Sequence, residues 1–333
     1  MLMGAGRLAL TGAVPLKMLP YDNKSELQLV IDLPEGTTLE RTDAAVREFE
    51  GYLATVPEVN DFESYVGAAS PMDFNGLVRH YNLRSAANLA DIRINLVPKD
   101  ERVQQSHEIG LRLRADLEAI AHRHEARLKI VEVPPGPPVL STIVAEVTGP
   151  PQRSYAELIE AGRDVAKRLD AIHGVVDTDV MAEDDHTRFD FELDKEKAAL
   201  HGVATAEVVR TLRLALSGDV PATVHERDER QSLSLRLVLD RARRSGAEEL
   251  SRLKVKGQAG TLVPLAEIGR FVERLADQPI YHKDLERTVF VMSEIAGTPP
   301  AEAVFEMQAS LEEQPLAGGI QANWTGEGEW KIT

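Results

Sequence analysis

Two histidines, His122 and His124, are spaced as His-x-His close to the predicted end of a helix. Imidazoles two positions apart on a helix point in different directions, so they chelate a metal ion poorly unless the helix has already ended. A solvated helix terminus accounts for the same pair, because the helix dipole favours a cationic imidazole there. We therefore assign no metal ligand to these histidines.

A second polar group, Glu183–His186, carries the carboxylates that a hard cation prefers. At a domain junction, such a run of charge is more typical of a solvated hinge. The sequence has no Gly-x-Ser-x-Gly elbow, phosphate-binding loop or dinucleotide fingerprint, and no spacing assembles a Ser-His-Asp triad. It thus predicts no catalytic residue, no cofactor and no metal site, in a protein that is not an enzyme.

The composition excludes further classes of function. The net charge is −16 and no Lys/Arg-rich block stands out, so the surface repels phosphate backbones and anionic lipid. The chain has no cysteine, which excludes disulfides, thiolate zinc sites and cysteine nucleophiles. No stretch reaches the ~20 apolar residues of a membrane-spanning helix. The most apolar candidate, Leu8–Leu16, is flanked by Arg7 and Lys17.

The elements that must position any site follow a recurring order of strand, polar turn, amphipathic helix, short turn and strand. In the first copy, apolar residues alternate along the strand Leu27–Leu33, and Thr38 is placed to cap a helix that runs to about Leu53. A strand follows at Val59–Val66.

The second copy has a strand at Asp91–Val97, a helix from about Ser106 and a strand at Arg127–Val133. Together the two copies have the order βαββαβ, which is typical of a ferredoxin-like fold. Four prolines then fall within Pro134–Pro138, and neither a helix nor a central strand continues through such a segment. The sequence therefore predicts a domain boundary there.

The second half repeats this order with an interruption. We predict an α+β protein with two ferredoxin-like units, the second one interrupted by an inserted α+β domain from about Asp185 to His282. The third copy comprises Thr142–Thr148, a helix near Ser154–Leu169 and a strand from Val175; the fourth comprises Thr288–Ile295, Pro300–Leu311 and Ile320–Trp324. The insertion has a strand at Arg188–Leu193, a helix at Thr205–Leu216 and an alternating strand at Leu233–Leu239.

An ordered set of short motifs resembles one family. Pro20–Glu26 (PYDNKSE) enters a strand, and Leu33–Thr42 (LPEGTTLERT) follows it. The set is similar to the second large periplasmic loop of resistance–nodulation–division (RND) efflux transporters of the acriflavine-resistance type, which joins membrane helices seven and eight. Three later motifs match in order: Asp194–Ala198 with Leu200–Val203, Leu262–Leu265 and Trp324–Glu327.

The resemblance implies a division of the chain and a set of partners. Residues 25–133 would form a first porter subdomain, residues 140–184 with 283–326 a second, and residues 185–282 a docking subdomain. Residues 1–24 would be a membrane-helix stub and linker, although Leu8–Leu16 also suits a short signal-peptide core, and residues 327–333 would lead to the next helix. The implied protein is a proton-driven homotrimer in the inner membrane of a Gram-negative bacterium. This periplasmic part would meet the rest of the transporter, an adaptor and an outer-membrane channel.

The segment Gly67–Leu83 is long for a connection between two strands of one sheet, and such loops are usually functional or mobile. By position it resembles the switch loop of the family, which separates two substrate pockets. Alternatively, Phe74 merely pins the loop to the sheet. Strand parity turns Val30 and Asn95 to the open face of the first sheet with further cleft candidates. The candidate cleft and switch-loop residues are Tyr65, Met72, Phe74, Arg79, Arg93, Lys129, Val131 and Val133.

Two other functions stay open: a heavy-metal exporter loop of the same superfamily, and a free-standing periplasmic ligand-binding module. Soft ions such as Cu(I) prefer thiolate and thioether ligands. The chain has no cysteine and seven methionines, of which only Met72 falls in the switch loop. The sequence therefore favours a small amphiphilic organic cargo, which the basic residues Arg93 and Lys129 would suit if it is anionic.

Overall fold

A computed structural model describes residues 22–132, 139–296 and 299–326, except the side chains of residues 74, 75 and 82. The expected stub therefore lies outside the described residues up to residue 21, as do Val133 and the proline-rich segment. The chain divides into two compact units. Unit 2 is Asp185–Asp277, and unit 1 contains the residues before and after it.

The first sheet of unit 1 is built by the first 110 described residues, and every strand pair in it is antiparallel, in the order β2-β3-β1-β4. Two helices supply its apolar cover. The elements are β1 (Glu26–Asp32), α1 (Leu39–Leu53), β2 (Val59–Val66), α2 (Phe74–Val78), a 3₁₀ turn (Tyr81–Leu83), β3 (Leu89–Leu96), α3 (Ser106–Arg123) and β4 (Arg127–Val131).

Helix α1 forms because its apolar residues recur every three or four positions, and it buries Ala45, Val46, Phe49 and Leu53 against the sheet. Thr38 occupies its N-cap position, but the Thr38 side chain makes no capping hydrogen bond, so the predicted cap is wrong in this respect. The amphipathic spacing, and not the cap, therefore accounts for this helix.

The second sheet begins with β5 (Ile143–Thr148), α4 (Tyr155–Asp170) and β6 (Val175–Val180). Helix α4 has the capping that α1 lacks. The Ser154 hydroxyl accepts a hydrogen bond from the Glu157 backbone amide, and the Glu157 carboxylate accepts one from the Ser154 amide. This reciprocal pair satisfies two amides that have no partner inside the helix.

The chain then enters unit 2, whose small core contains Val203, Val255, Leu265 and Ile268. Strand β7 pairs with β12, β8 with β9, and β10 with β11, all antiparallel. The elements are β7 (Thr187–Leu193), α5 (Lys195–Leu200), α6 (Thr205–Leu216), β8 (Asp219–Val224), β9 (Leu233–Leu237), α7 (Ala247–Ser251), β10 (Lys254–Lys256), β11 (Leu262–Pro264), α8 (Leu265–Ile268) and β12 (Gly269–Leu275).

The last part of the chain completes the second sheet. It consists of β13 (His282–Lys283), β14 (Glu286–Ile295), α9 (Pro300–Glu313) and β15 (Gln321–Gly326). Strand β14 lies beside β5 with Thr288 opposite Thr148, and it pairs with β6 on its other side. The resulting order β6-β14-β5-β15 is equivalent to the order β2-β3-β1-β4 of the first sheet.

The α+β class predicted from the sequence is confirmed by these elements. Each sheet of unit 1 has its own hydrophobic core. The core of the first sheet includes Leu29, Phe49 and Ile92, and that of the second includes Val165 and Val291. No helix in the described ranges is long and apolar enough to cross a membrane.

Candidate functional site

The face of the first sheet turned away from its helices carries alternate residues of β1, β3 and β4, as parity predicts. This face is nevertheless not open, which corrects the expectation from the sequence. Val30 is fully buried and Val131 is 4% exposed, whereas Asn95 is exposed as expected. Parity states which way a side chain points, but only the tertiary structure decides what covers it.

Part of the cover is the loop between β2 and β3. Its Ser70 amide donates a hydrogen bond to Asp91 Oδ2 (3.1 Å), and Arg93 donates to Asp73 (2.7 Å) and to the Pro71 carbonyl (3.1 Å). The Arg93 guanidinium is thus hydrogen-bonded to the loop in this structure. The loop is held by Asp73, while the Phe74 side chain lies outside the described part of the chain.

Beneath this loop lies a buried charge cluster within the first sheet. The Arg84 guanidinium donates to Asp32, to Asp91 Oδ1 (3.2 Å) and to the Ile31 carbonyl (3.3 Å). Burial raises the pKa of Asp32, but the charges of Arg84 and Lys129 outweigh that effect, so the pKa is lowered. The Arg84 guanidinium favours the ionised form of Asp32 and anchors the end of the loop to β1 and β3.

The rest of the cover comes from the second sheet. Asp177 of β6 has a side chain that is 3% exposed. Its carboxylate accepts two hydrogen bonds from the Arg114 guanidinium and one from the Ile130 backbone amide (3.1 Å). One carboxylate thereby joins α3 and the edge of β4 to the neighbouring sheet.

A second ion-pair group lies two residues further along β6. Lys129 Nζ lies 2.5 Å from Asp179 Oδ2, and the Lys129 and Asp179 side chains are 14% and 11% exposed. Arg127 donates to Asp179 Oδ1 at 3.2 Å. Burial lowers the pKa of Lys129, but the charges of Asp179 and Asp32 raise it by more than burial lowers it. The net pKa is raised, so the ammonium stays charged.

A third contact joins the loop to β14. Arg79 Nη1 donates to Glu294 Oε1 (2.7 Å), and the hydroxyls of Ser141 and Thr142 also donate to the Glu294 carboxylate, at 2.9 and 2.5 Å. Burial raises the pKa of Glu294, but the Arg79 charge and these hydrogen bonds outweigh it and lower the pKa. The carboxylate is therefore ionised in spite of its burial.

The cations and the carboxylates of these contacts come from different parts of the chain. In each ion pair just described between the sheets, the cation comes from the first βαββαβ unit and the carboxylate from the second. We call these contacts the charged seam, defined by Arg79, Arg114, Arg127 and Lys129 on one side and Asp177, Asp179 and Glu294 on the other. The two hydrophobic cores are separate, and the ion pairs join the sheets around a cavity that Val131, Leu140 and Met292 also line.

A small cavity of about 40 Å³ lies within the charged seam. Its lining combines the charged groups of Arg79, Lys129, Asp177 and Glu294 with the apolar side chains of Val131, Leu140 and Met292. Such a volume holds a few water molecules, whereas pockets for drug-sized ligands start at roughly 300 Å³. The cavity is therefore too small for a drug-sized ligand in this structure.

The structure brings together only some of the candidate residues. Arg79, Lys129 and Val131 line the cavity. Tyr65 donates to Glu63 on the same strand (2.5 Å), and Met72 is 63% exposed. Together with the loop-bound Arg93, these residues do not line the cavity, and Val133 lies outside the described residues.

Sequence reasoning missed the acidic half of the site. The one signal available was the internal repeat, in which Asp177 occupies the position of Asp61. That repeat marks a strand start but says nothing about a partner. His124, to which the sequence assigned no metal, lies 2.9 Å from Glu48. Among the residues the structure describes, no three His, Asp or Glu side chains are grouped to hold a metal ion.

Comparison with known proteins identifies the class. The family model of the AcrB/AcrD/AcrF family matches residues 1–332. A toluene efflux pump membrane transporter, TtgB, and an antibiotic efflux pump membrane transporter, ArpB, both of Pseudomonas putida, are each 21% identical over 329 residues, or 98% of this chain. The chain is thus of the RND efflux transporter class.

More specifically, the chain belongs to the AcrB/AcrD/AcrF family. It spans about 30% of the length of these curated relatives. The fold is also similar to part of a heavy metal efflux pump, with a TM-score of 0.71 and 18% identity; the match covers 97% of this chain and 33% of the pump chain. At this identity the structural likeness establishes the fold alone.

Proposed function

We propose that the chain is the periplasmic porter and docking part of a proton-driven RND efflux pump of an inner membrane. Residues 25–133 form one porter subdomain, and residues 140–184 with 283–326 form the other. The charged seam is the closed mouth of the substrate cleft between them. Residues 185–282 form the docking subdomain, which contacts the adaptor and the outer-membrane channel in a homotrimer.

The observation that carries this proposal is the composition of the seam. The two sheets keep separate hydrophobic cores, and buried ion pairs form much of the described contact between them. Ion pairs lose less than an apolar interface when water enters, because water and ions solvate the separated charges. A seam of this kind suits an interface that opens and closes around cargo.

The absence of cysteine makes a direct test possible, because spin labels can be placed at introduced cysteines alone. The labels are attached at Ala115→Cys on α3 and Lys167→Cys on α4. Ala115 and Lys167 are exposed and lie one on each porter subdomain. We expect one narrow distance distribution in the parent chain and a second, longer population after Asp177→Asn with Asp179→Asn. The matched control, Asp43→Asn, removes an exposed ion pair within α1 and should leave the distribution unchanged.

A distance distribution that does not respond to neutralisation of both aspartates would contradict the proposal. It would show that the two sheets form one fixed body. A shift of equal size in the Asp43→Asn control would contradict it as well, because the effect would then reflect net charge and not the seam.

The arrangement of methionines supports an organic cargo in preference to a soft metal ion. Met307 is fully buried in the second core, Met72 is exposed, and Met292 lines the cavity. A selective Cu(I) site needs two or three soft ligands, and one thioether at the cavity is too few. Titration with Cu(I) under reducing conditions should show no tight binding; one-to-one binding that Met292→Ile or Met72→Ile abolishes would reverse this conclusion.

A further inference from the structure

The cavity in the charged seam has walls of opposite charge. Arg79 and Lys129 approach it from the first porter subdomain, and Asp177 and Glu294 from the second. The formal charges of these four groups cancel. The apolar part of the lining comes from Val131, Leu140 and Met292, as described above.

On this arrangement, and resting on the proposed function, we infer that the cargo is a zwitterionic amphiphile. It carries an anionic group for the wall of Arg79 and Lys129, a cationic group for the wall of Asp177 and Glu294, and an apolar tail.

The physical reason is the state of the charges when the cleft opens. The side chains of Arg79 and Glu294 are only 8% and 18% exposed while paired. When cargo and not water fills the gap between such partners, each charge is left partly buried without a counter-charge, which is unfavourable. A cation between the walls would satisfy Asp177 and Glu294 but repel Arg79 and Lys129, and an anion would do the reverse. A zwitterion satisfies both walls.

The same geometry argues against the anionic cargo that the basic residues suggest in the sequence. Arg93 is bound to Asp73 of the loop and Lys129 to Asp179 of β6. Neither cation is available without the release of a carboxylate on the opposite side. The two cations and two carboxylates that line the cavity therefore balance, and the lining has no excess of positive charge with which to attract an anion.

The test uses four probes with the same decyl chain, below their micelle concentrations, and calorimetric titration of the whole 333-residue chain. They are a decyl sulfobetaine (zwitterion), decyltrimethylammonium, decyl sulfate and decyl maltoside. The free energy needed to open the closed cleft reduces the affinity of all four probes by the same factor. The ratios of their dissociation constants therefore depend only on the headgroup. We expect the sulfobetaine to bind at least about tenfold more tightly than either singly charged probe, or about 1.4 kcal/mol.

Two variants should shift the preference in opposite directions. Lys129→Met removes one cation from the cationic wall, so the affinity for decyltrimethylammonium should rise relative to the affinity for the sulfobetaine. Glu294→Gln removes one charge from the acidic wall, so the affinity for decyl sulfate should rise relative to the affinity for the sulfobetaine. Circular dichroism checks that both variants are folded, and Asp43→Asn serves as the control that should change no ratio.

The outcomes separate the cargo inference from the proposed function. If a singly charged probe or the maltoside binds as tightly as the sulfobetaine, the cargo class is wrong while the cleft stands. If the ratios do not respond to Lys129→Met or Glu294→Gln, the probes bind elsewhere and the inference is overturned. If no probe binds and the spin labels show one fixed distance, both proposals fail.

Discussion

Replacement of Asp177 by asparagine should destabilise unit 1 by about 2–3 kcal/mol. Removal of one partner of a buried ion pair costs about 3–5 kcal/mol, because the other charge is left without compensation. Arg114 is 16% exposed and keeps a second partner, Glu118, at 3.2 Å. These two features place the expected loss at or below the lower end of that range.

The asparagine is chosen because it removes the charge while keeping the shape of the side chain. Asp177 has φ 53°, in the left-handed region that asparagine tolerates better than most residues. Its amide oxygen can still accept the hydrogen bond from the Ile130 amide. The substitution therefore adds no backbone strain, and the measured loss reports the lost charge together with the one Arg114 hydrogen bond whose acceptor oxygen becomes an amide NH2 group.

The assay is urea unfolding followed by tryptophan fluorescence, since Trp324 packs against the second core of unit 1. Arg114→Met with Asp177→Asn removes both charges and should return the unfolding free energy to within about 1 kcal/mol of the parent. The control Asp43→Asn breaks a pair whose side chains are 70% and 45% exposed and should cost less than about 0.5 kcal/mol. A loss in Asp177→Asn no larger than in this control, or a double variant as unstable as the single one, would refute the argument.

Three further perturbations test the packing, the capping and the electrostatics of unit 1 by the same unfolding assay. Phe49→Ala empties a fully buried position and should cost about 3–5 kcal/mol; a loss under about 2 kcal/mol would show a core that collapses around the gap. Ser154→Ala should cost about 1 kcal/mol whereas Thr38→Ala, whose hydroxyl caps nothing, should be nearly neutral, and equal losses would contradict the capping assignment. Because the pKa of Glu294 is lowered in the folded chain, the ionised group contributes stability above its ordinary value of 4.5 that is lost as the pH falls through the lowered pKa. Glu294→Gln should therefore reduce the drop in unfolding free energy between about pH 7 and about pH 3, and an unchanged drop would show that the contact with Arg79 is not stabilising.

The sequence was sufficient for elements whose side chains repeat with a clear period. The helix predicted at Thr205–Leu216 has those bounds in the structure. The alternation of Leu27, Leu29 and Ile31 correctly identified the face of β1 that packs under the helices. These features are local, because periodicity and chain breakers act over a few residues and need no distant partner.

The site depended on contacts between residues far apart in the chain. The sequence drew attention to Lys129 as a cation on an open sheet face, and the structure pairs it with Asp179, fifty positions away. Alternation along a strand assigns a face, but it contains no information about what another segment places against that face. For the same reason Asp177 and Glu294 could not be recognised as parts of the site.

What the sequence determined by itself was therefore the α+β class, the order of the elements and the resemblance to an efflux transporter, since these depend on local patterns and on motifs in order. What only the tertiary structure decided was that the predicted open face is covered, and that basic residues of one βαββαβ unit meet carboxylates of the other. The physical reason is that an ion pair such as Arg79–Glu294 joins positions 215 residues apart. Its existence depends on how two sheets with separate hydrophobic cores pack together, and neither segment specifies that packing alone.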